Sequence, residues 1–151
     1  MHRPFVLLVD DNPDDVALMQ RVFNRAGIIG PNDVVVARDG VQALDFLFAA
    51  GEHAGRDPRL LPKAVFLDLK MPRVDGLEVL RRVRGDARTK LVPVVVLTSS
   101  DEQGDLAQSY RLGANSYVRK PEDSTQFSDA VGSLGRYWFH LNRVPAEATW
   151  G

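Results

Sequence analysis

The sequence predicts an α/β fold in which a parallel sheet is covered by helices on both faces. Two observations carry this. Short, continuously apolar runs have the length of strands buried on both sides, and stretches of helical periodicity alternate with them five times.

The first run, Phe5-Val6-Leu7-Leu8-Val9, is stopped by two carboxylates. Asn12-Pro13-Asp14-Asp15 then supplies a cap, a proline for the first helical position and early acids. Val16, Met19, Val22, Phe23 and Ala26 follow at helical spacing, and Gly27 suits the stop. Val34-Val35-Val36-Ala37 is a second strand, and Asp39-Gly40 leads to a helix with Leu44, Leu47 and Phe48 on one face. Residues 51–63 carry two glycines and two prolines and predict an exposed, extended loop. Ala64-Val65-Phe66-Leu67 is a buried strand ending at Asp68. Gly76 to Arg84 is expected as a helix with Leu77, Leu80 and Val83 inward, and Val92 to Leu97 as the fourth strand, ending at Thr98. Asp101 to Leu112 is a more polar helix stopped by Gly113. Ser116-Tyr117-Val118 is a short fifth strand before Lys120-Pro121, and a last helix runs from about Ser124 to His140.

A length of 151 residues favours one domain. A domain of that size buries roughly 68–70% of its unfolded surface, and 44% hydrophobic residues argue against disorder. The net charge is −1 with no long basic run, so no nucleic-acid partner is expected. The absence of cysteine excludes disulfides and thiolate metal sites. The N-terminal apolar run is too short for a signal-peptide core or a membrane span, so a soluble cytoplasmic protein is expected.

In open parallel sheets ligands bind beyond the carboxyl ends of the strands. At those ends stand Asp10-Asp11, Asp68, Thr98-Ser99-Ser100 and Lys120. Three carboxylates in one small pocket repel, at about 4 kcal/mol per pair for 4 Å and an effective dielectric near 20. A hard cation removes that penalty, and carboxylates with water suit Mg²⁺. A metal beside a free carboxylate suits phosphoryl transfer onto it. Asp68 would be the nucleophile, with Lys120 and Thr98 on the phosphoryl oxygens.

Over about residues 4–140 the sequence resembles the receiver domain of two-component response regulators. The matching motifs are Leu8-Val9-Asp10-Asp11, Leu67-Asp68-Leu69-Lys70-Met71-Pro72-Arg73-Val74-Asp75-Gly76, Leu97-Thr98-Ser99 and Tyr117-Val118-Arg119-Lys120-Pro121. The opening Asp10 to Asp15 and the loop before the third strand also resemble the stand-alone regulators that partner bacterial phytochromes. The resemblance implies a flavodoxin-like (βα)5 three-layer sandwich with strand order 2-1-3-4-5. It implies that Asp68 is phosphorylated and that Asp11 binds Mg²⁺ directly, with Asp10 acting through metal-bound water. The Lys70 backbone carbonyl would be the third protein ligand. Thr98 and Tyr117 would be the switch residues, Lys120 would pair with phosphate, and the peptide before Pro121 would be cis. Many relatives carry a neutral side chain where this sequence has Lys70, which bears on dephosphorylation rate rather than on acceptor identity.

Taken alone, Asp10-Asp11 and Thr98 also fit helix caps, and Tyr117 fits core or rim packing. Asp14, Asp15 and Asp75 read as helix-start acids, and His2, His53 and His140 as surface residues. Tyr137-Trp138-Phe139 cannot all face one core, which leaves terminal packing and a partner surface open. An aspartyl phosphatase of the haloacid-dehalogenase class needs a second aspartate where Lys70 stands. A flavin module would put phosphate beside Asp10-Asp11, which repel it. A degenerate receiver would have lost one of Asp11, Asp68, Thr98 or Lys120. The expectation is therefore a receiver over 1–140 with a short tail, 141–151, and no effector domain. It would act as a phosphoacceptor switch rather than an enzyme. Its partners would be a sensor histidine kinase of the phytochrome kind and a second copy of the chain, paired through the fourth helix, fifth strand and fifth helix.

Overall fold

A computed structural model describes residues 3–145. Five parallel strands lie in the order β2-β1-β3-β4-β5. They are β1 (Val6–Val9), β2 (Val34–Ala37), β3 (Ala64–Leu67), β4 (Val94–Thr98) and β5 (Ser116–Arg119). The helices are α1 (Pro13–Arg25), α2 (Gly40–Phe48), α3 (Gly76–Arg84), α4 (Gln103–Arg111) and α5 (Ser124–Gly135), the last continued by a π-helical segment, Arg136–Leu141. The fivefold strand–helix alternation, the parallel sheet and its strand order are those the sequence implies.

Strand period 2 divides the core in two. Leu7, Val9, Val65, Leu67, Val94 and Val96 share one buried cluster with residues of α2 and α3. Val6, Leu8, Phe66, Val95 and Leu97 share the other with α1 and α5. Each such side chain contributes roughly 1.5–3 kcal/mol by leaving water. The central strands β1, β3 and β4 are buried throughout, which fixes their ends as the rigid rim of the site.

The helix starts aim that rim. Asn12 Oδ1 accepts from the Asp14 and Asp15 amides at 3.0 and 3.2 Å, so α1 begins immediately behind Asp10-Asp11. Asp39 caps α2 by accepting from Gln42 N at 2.8 Å. Gly76 opens α3 where no other residue fits: a Cβ there would lie 2.2 Å from the Asp68 carbonyl oxygen. That close approach holds the start of α3 against the strand end that carries Asp68.

Local differences from the sequence expectation have physical causes. In α3, Val79 rather than Leu77 joins Leu80 and Val83 in the buried stripe, and Leu77 packs at its margin. The fourth strand starts at Val94, two residues late, because Pro93 has no N–H for the ladder. The 51–63 segment is not exposed throughout. It contains a 3₁₀ turn, Gly51–His53, and buries Leu61 and Pro62. The Arg56 guanidinium lies 3.8 Å from the Phe46 ring centre and donates to the Phe46 and Leu60 carbonyls. His140 is exposed as expected, with its Nε2 against the Ile28 carbonyl, whereas His53 is half-buried and meets the Phe46 ring edge-on. Trp138 and Phe139 pack against the α1–α5 core, while Tyr137 stays exposed. His2 and the tail from residue 146 lie outside the described residues. No helix among the described residues is long and apolar enough to cross a membrane.

Candidate functional site

The strand ends bring the expected residues together. Asp10, Asp11 and Asp68 each offer a carboxylate oxygen, and these atoms lie within 4.8 Å of one another. Asp10 and Asp68 are buried and Asp11 is exposed, so the cluster has two fixed walls and one side open to solvent. A hard divalent cation fits this all-oxygen donor set.

Lys120 supplies the positive charge. Its ammonium donates to Asp10 Oδ2 at 2.7 Å and to Asp15 Oδ2 at 2.8 Å, and lies 3.7 Å from Asp68 Oδ2. Burial alone would push the Lys120 pKa down, but the bonds to Asp10 and Asp15 outweigh it and raise it above its ordinary value. Burial pushes the Asp10 carboxyl up despite the Lys120 bond and charge. Asp15, expected only as a helix-start acid, is thus part of the site. Its place on the first turn of α1 points it across to Lys120.

The Lys120–Pro121 peptide is trans, not cis as the resemblance implies. Trans is the intrinsically favoured isomer of an X–Pro bond by about 0.5–1 kcal/mol. Lys120 also reaches the carboxylates without the cis form, because its amide continues the β4 pairing by donating to the Thr98 carbonyl at 2.7 Å.

Thr98 is fully buried at the end of β4, and its Oγ1 accepts from Ser100 N at 3.4 Å. The half-buried Tyr117 ring packs against the α2–α3 core, and its hydroxyl donates to the Ser100 carbonyl at 3.1 Å. Both expected switch residues therefore meet at Ser100. The Lys70 amide approaches Asp68 Oδ1 at the 3.5 Å limit of a hydrogen bond. The Lys70 ammonium turns away to Asp105 Oδ2 at 3.1 Å.

A second pair missed in the sequence flanks the site. Arg73 donates to Asp39 Oδ2 through Nε and Nη2, at 3.1 and 2.8 Å, which ties the loop after Asp68 to the start of α2. Burial acts to raise the Asp39 pKa, but the Gln42 amide and then Arg73 hold it below the usual carboxylate range. Its stabilising share is present above the unfolded pKa and is lost as pH falls through the lower folded value. Beside Lys120 a cleft of about 600 Å³ opens along α1, lined by Asp14, Asp15, Leu18, Arg21, Ser99 and Phe127.

Residues 6–132 match the family model of the response regulator receiver domain. The chain is 40% identical over 146 residues to the probable methanogenesis regulatory protein FilR2 of Methanothrix harundinacea, covering 96% of this chain and 90% of that one. It is 34% identical to the response regulator Rcp1 of Synechocystis sp., covering 93% and 92%. The solved Mn(2+)-bound form of Rcp1 superposes with a TM-score of 0.87 at 32% identity, over 95% of this chain and all of that one. The bacteriophytochrome response regulator AtBRR is 45% identical, with a TM-score of 0.71 over 95% and 100% of the two chains.

Proposed function

The chain belongs to the response regulator receiver domain family, and from that premise we propose that it accepts a phosphoryl group on Asp68 from a sensor histidine kinase. Receivers of this family are signalling switches that bind a divalent metal at the acidic pocket. The observation that carries the proposal is a carboxylate at the end of β3 with two further acids and one buried ammonium around it. Asp10, Asp11, Asp68 and the Lys70 backbone carbonyl would hold Mg²⁺, which would supply positive charge to offset the carboxylates and the transferring oxygens.

The chain's own residues do the rest. A carboxylate oxygen of Asp68 attacks the phosphorus of the kinase phosphohistidine. The new O–P bond forms as the P–N bond breaks, and its electron pair returns to the imidazole. Lys120 stands 3.7 Å from Asp68 Oδ2, so a phosphoryl group there draws it off Asp10 and Asp15. The Thr98 hydroxyl donates to another phosphoryl oxygen, its bond with Ser100 loosens, and the Tyr117 ring follows. The equilibrium shifts only by the difference in interaction between the two states. On this reading the chain catalyses only its own phosphoryl transfer and dephosphorylation.

The partner is a sensor kinase of the phytochrome class, in keeping with the named function of the solved phytochrome response regulators this chain resembles. It docks over the cleft along α1, which Lys120, the neighbour of the acceptor, helps to line, and the protein works in the cytoplasm. Output passes through protein partners or through a symmetric homodimer on the α4–β5–α5 face. That face ends the sheet at β5 and exposes Tyr110 on α4. An aromatic anchor there is worth about 2 kcal/mol, roughly thirtyfold in dissociation constant. Sedimentation is expected to show concentration-dependent pairing that beryllofluoride shifts and Tyr110→Ala weakens. A strict monomer in both states rejects the dimer.

Acetyl phosphate with Mg²⁺ tests the acceptor. Wild type and Thr98→Ala are expected to gain phosphate and Asp68→Asn none. Under beryllofluoride the Tyr117 resonances of Thr98→Ala should stay near their unactivated positions. Equal phosphate in wild type and Asp68→Asn rejects the acceptor assignment, and equal shifts in Thr98→Ala and wild type reject the switch.

A further inference from the structure

Helix α4 buries polar residues where the other helices bury apolar ones. Its buried residues are Asp105 and Ser109, both polar. The Ser109 hydroxyl has no hydrogen-bond partner among the described residues. Asp105, by contrast, is bound twice. Ser100 Oγ donates to its Oδ2 at 2.5 Å, and the Lys70 ammonium reaches the same oxygen at 3.1 Å. The Ser100 bond and then Lys70 outweigh burial and keep the Asp105 pKa low. Lys70 is raised first by Asp105, and its other charged neighbours, Glu102 and Asp75, are acids as well.

Lys70 therefore stands between Asp68 and α4. Its backbone lies against Asp68, at 3.5 Å from Oδ1, while its ammonium is drawn onto α4. Ser100, the other ligand of Asp105, is the residue that also touches Thr98 and Tyr117. Charge added at Asp68 and a change at the β4–α4 loop thus share one lysine.

We propose that Asp105 is a positioning residue that holds the Lys70 ammonium on α4, away from the Asp68 carboxylate, until a phosphoryl group competes for it. This rests on Asp68 being the acceptor. A phosphoryl group brings a charge of about −1.5 to −2 and three acceptor oxygens, against one shared carboxylate at Asp105. Lys70 then moves from Asp105 to the phosphoryl oxygens, where it stabilises the phosphorylated form and screens it from water. The vacated Asp105 keeps only Ser100, so α4 loses its tether to the β3–α3 loop. Asp105 sets how much of Lys70 the phosphoryl group receives, and hence how long phosphate stays.

The test is the lifetime of the label after acetyl phosphate is removed, in Mg²⁺, for wild type, Asp105→Asn, Lys70→Met and the double variant. Freeing Lys70 by Asp105→Asn is expected to lengthen the lifetime about two- to fivefold, the scale of a partly exposed ion pair. Lys70→Met should shorten it by a similar factor, and the double variant should match Lys70→Met. A purely structural role for Asp105 would leave its effect undiminished without Lys70, and that result overturns the proposal. So does an Asp105→Asn lifetime equal to wild type. Should Asp105→Asn fail to fold, Lys70→Met decides alone: its side chain is 57% exposed, and an unchanged lifetime overturns the proposal. Absence of any label on wild type would overturn the acceptor assignment itself, whereas label lost at equal rates from all the variants leaves that assignment standing and removes the tether.

Discussion

Lys120→Met is expected to destabilise the metal-free protein by about 3 kcal/mol at neutral pH, because one partner of a buried ion pair is removed and the other is left behind. Lys120 is 6% exposed and Asp10 is 2% exposed, at 2.7 Å. Methionine keeps most of the stem and removes the charge. Asp10, already raised by burial, loses its counter-ion and must either ionise alone or take a proton. The deficit should therefore shrink as pH falls and Asp10 becomes neutral. In wild type the sign is opposite for Lys120: its raised pKa means its stabilisation is complete below the unfolded value and is lost only as pH rises through the folded one. Added Mg²⁺ should recover part of the loss, since a cation between Asp10, Asp11 and Asp68 replaces the missing charge. Denaturant unfolding with and without Mg²⁺ measures both effects. An unchanged midpoint in metal-free Lys120→Met would show that the buried pair contributes no net stability.

Asp11→Ala is expected to weaken Mg²⁺ binding by at least about tenfold, the least that loss of a supporting group at a metal site costs, while raising the thermal stability of the metal-free form. The two signs come from one cause. Asp11 is the exposed member of the acid cluster. Without metal it only repels Asp10 and Asp68, and with metal it is the most accessible donor. Calorimetric titration gives the first quantity and thermal unfolding in chelator the second. Equal Mg²⁺ affinity in variant and wild type rejects Asp11 as a ligand.

Much of this was legible in the sequence because the central strands are buried on both faces. A buried parallel strand is a continuous apolar run, and it stops where charge begins. That placed Asp10-Asp11, Asp68 and Thr98 on one rim without knowledge of any contact. The α1 cap was equally local, since Asn12 and Pro13 act within one turn. What depended on how elements face each other was not legible. Asp15 meets Lys120 across 105 positions in the chain, and the packing of α1 against α5 brings them together. The Asp39–Arg73 pair rests on the loop after β3 turning back to α2, with Arg73 itself in the left-handed region at φ 68°. The motif gave Lys70 a place beside Asp68 but no direction for its side chain, which Asp105 decides. The Pro121 isomer was carried by resemblance alone, and the structure corrects it. The last helix runs on past Gly135 as expected, but its π-helical pairing there had no signal in the sequence.

The acceptor itself is the most direct test. Wild-type protein is mixed with acetyl phosphate in Mg²⁺, reduced with borohydride, which converts an aspartyl phosphate to homoserine, then digested and sequenced by mass. Homoserine at position 68, at no other aspartate, and not in chelator is the result the strand-end geometry predicts. Homoserine at Asp10, Asp11 or elsewhere with Asp68 intact would contradict it.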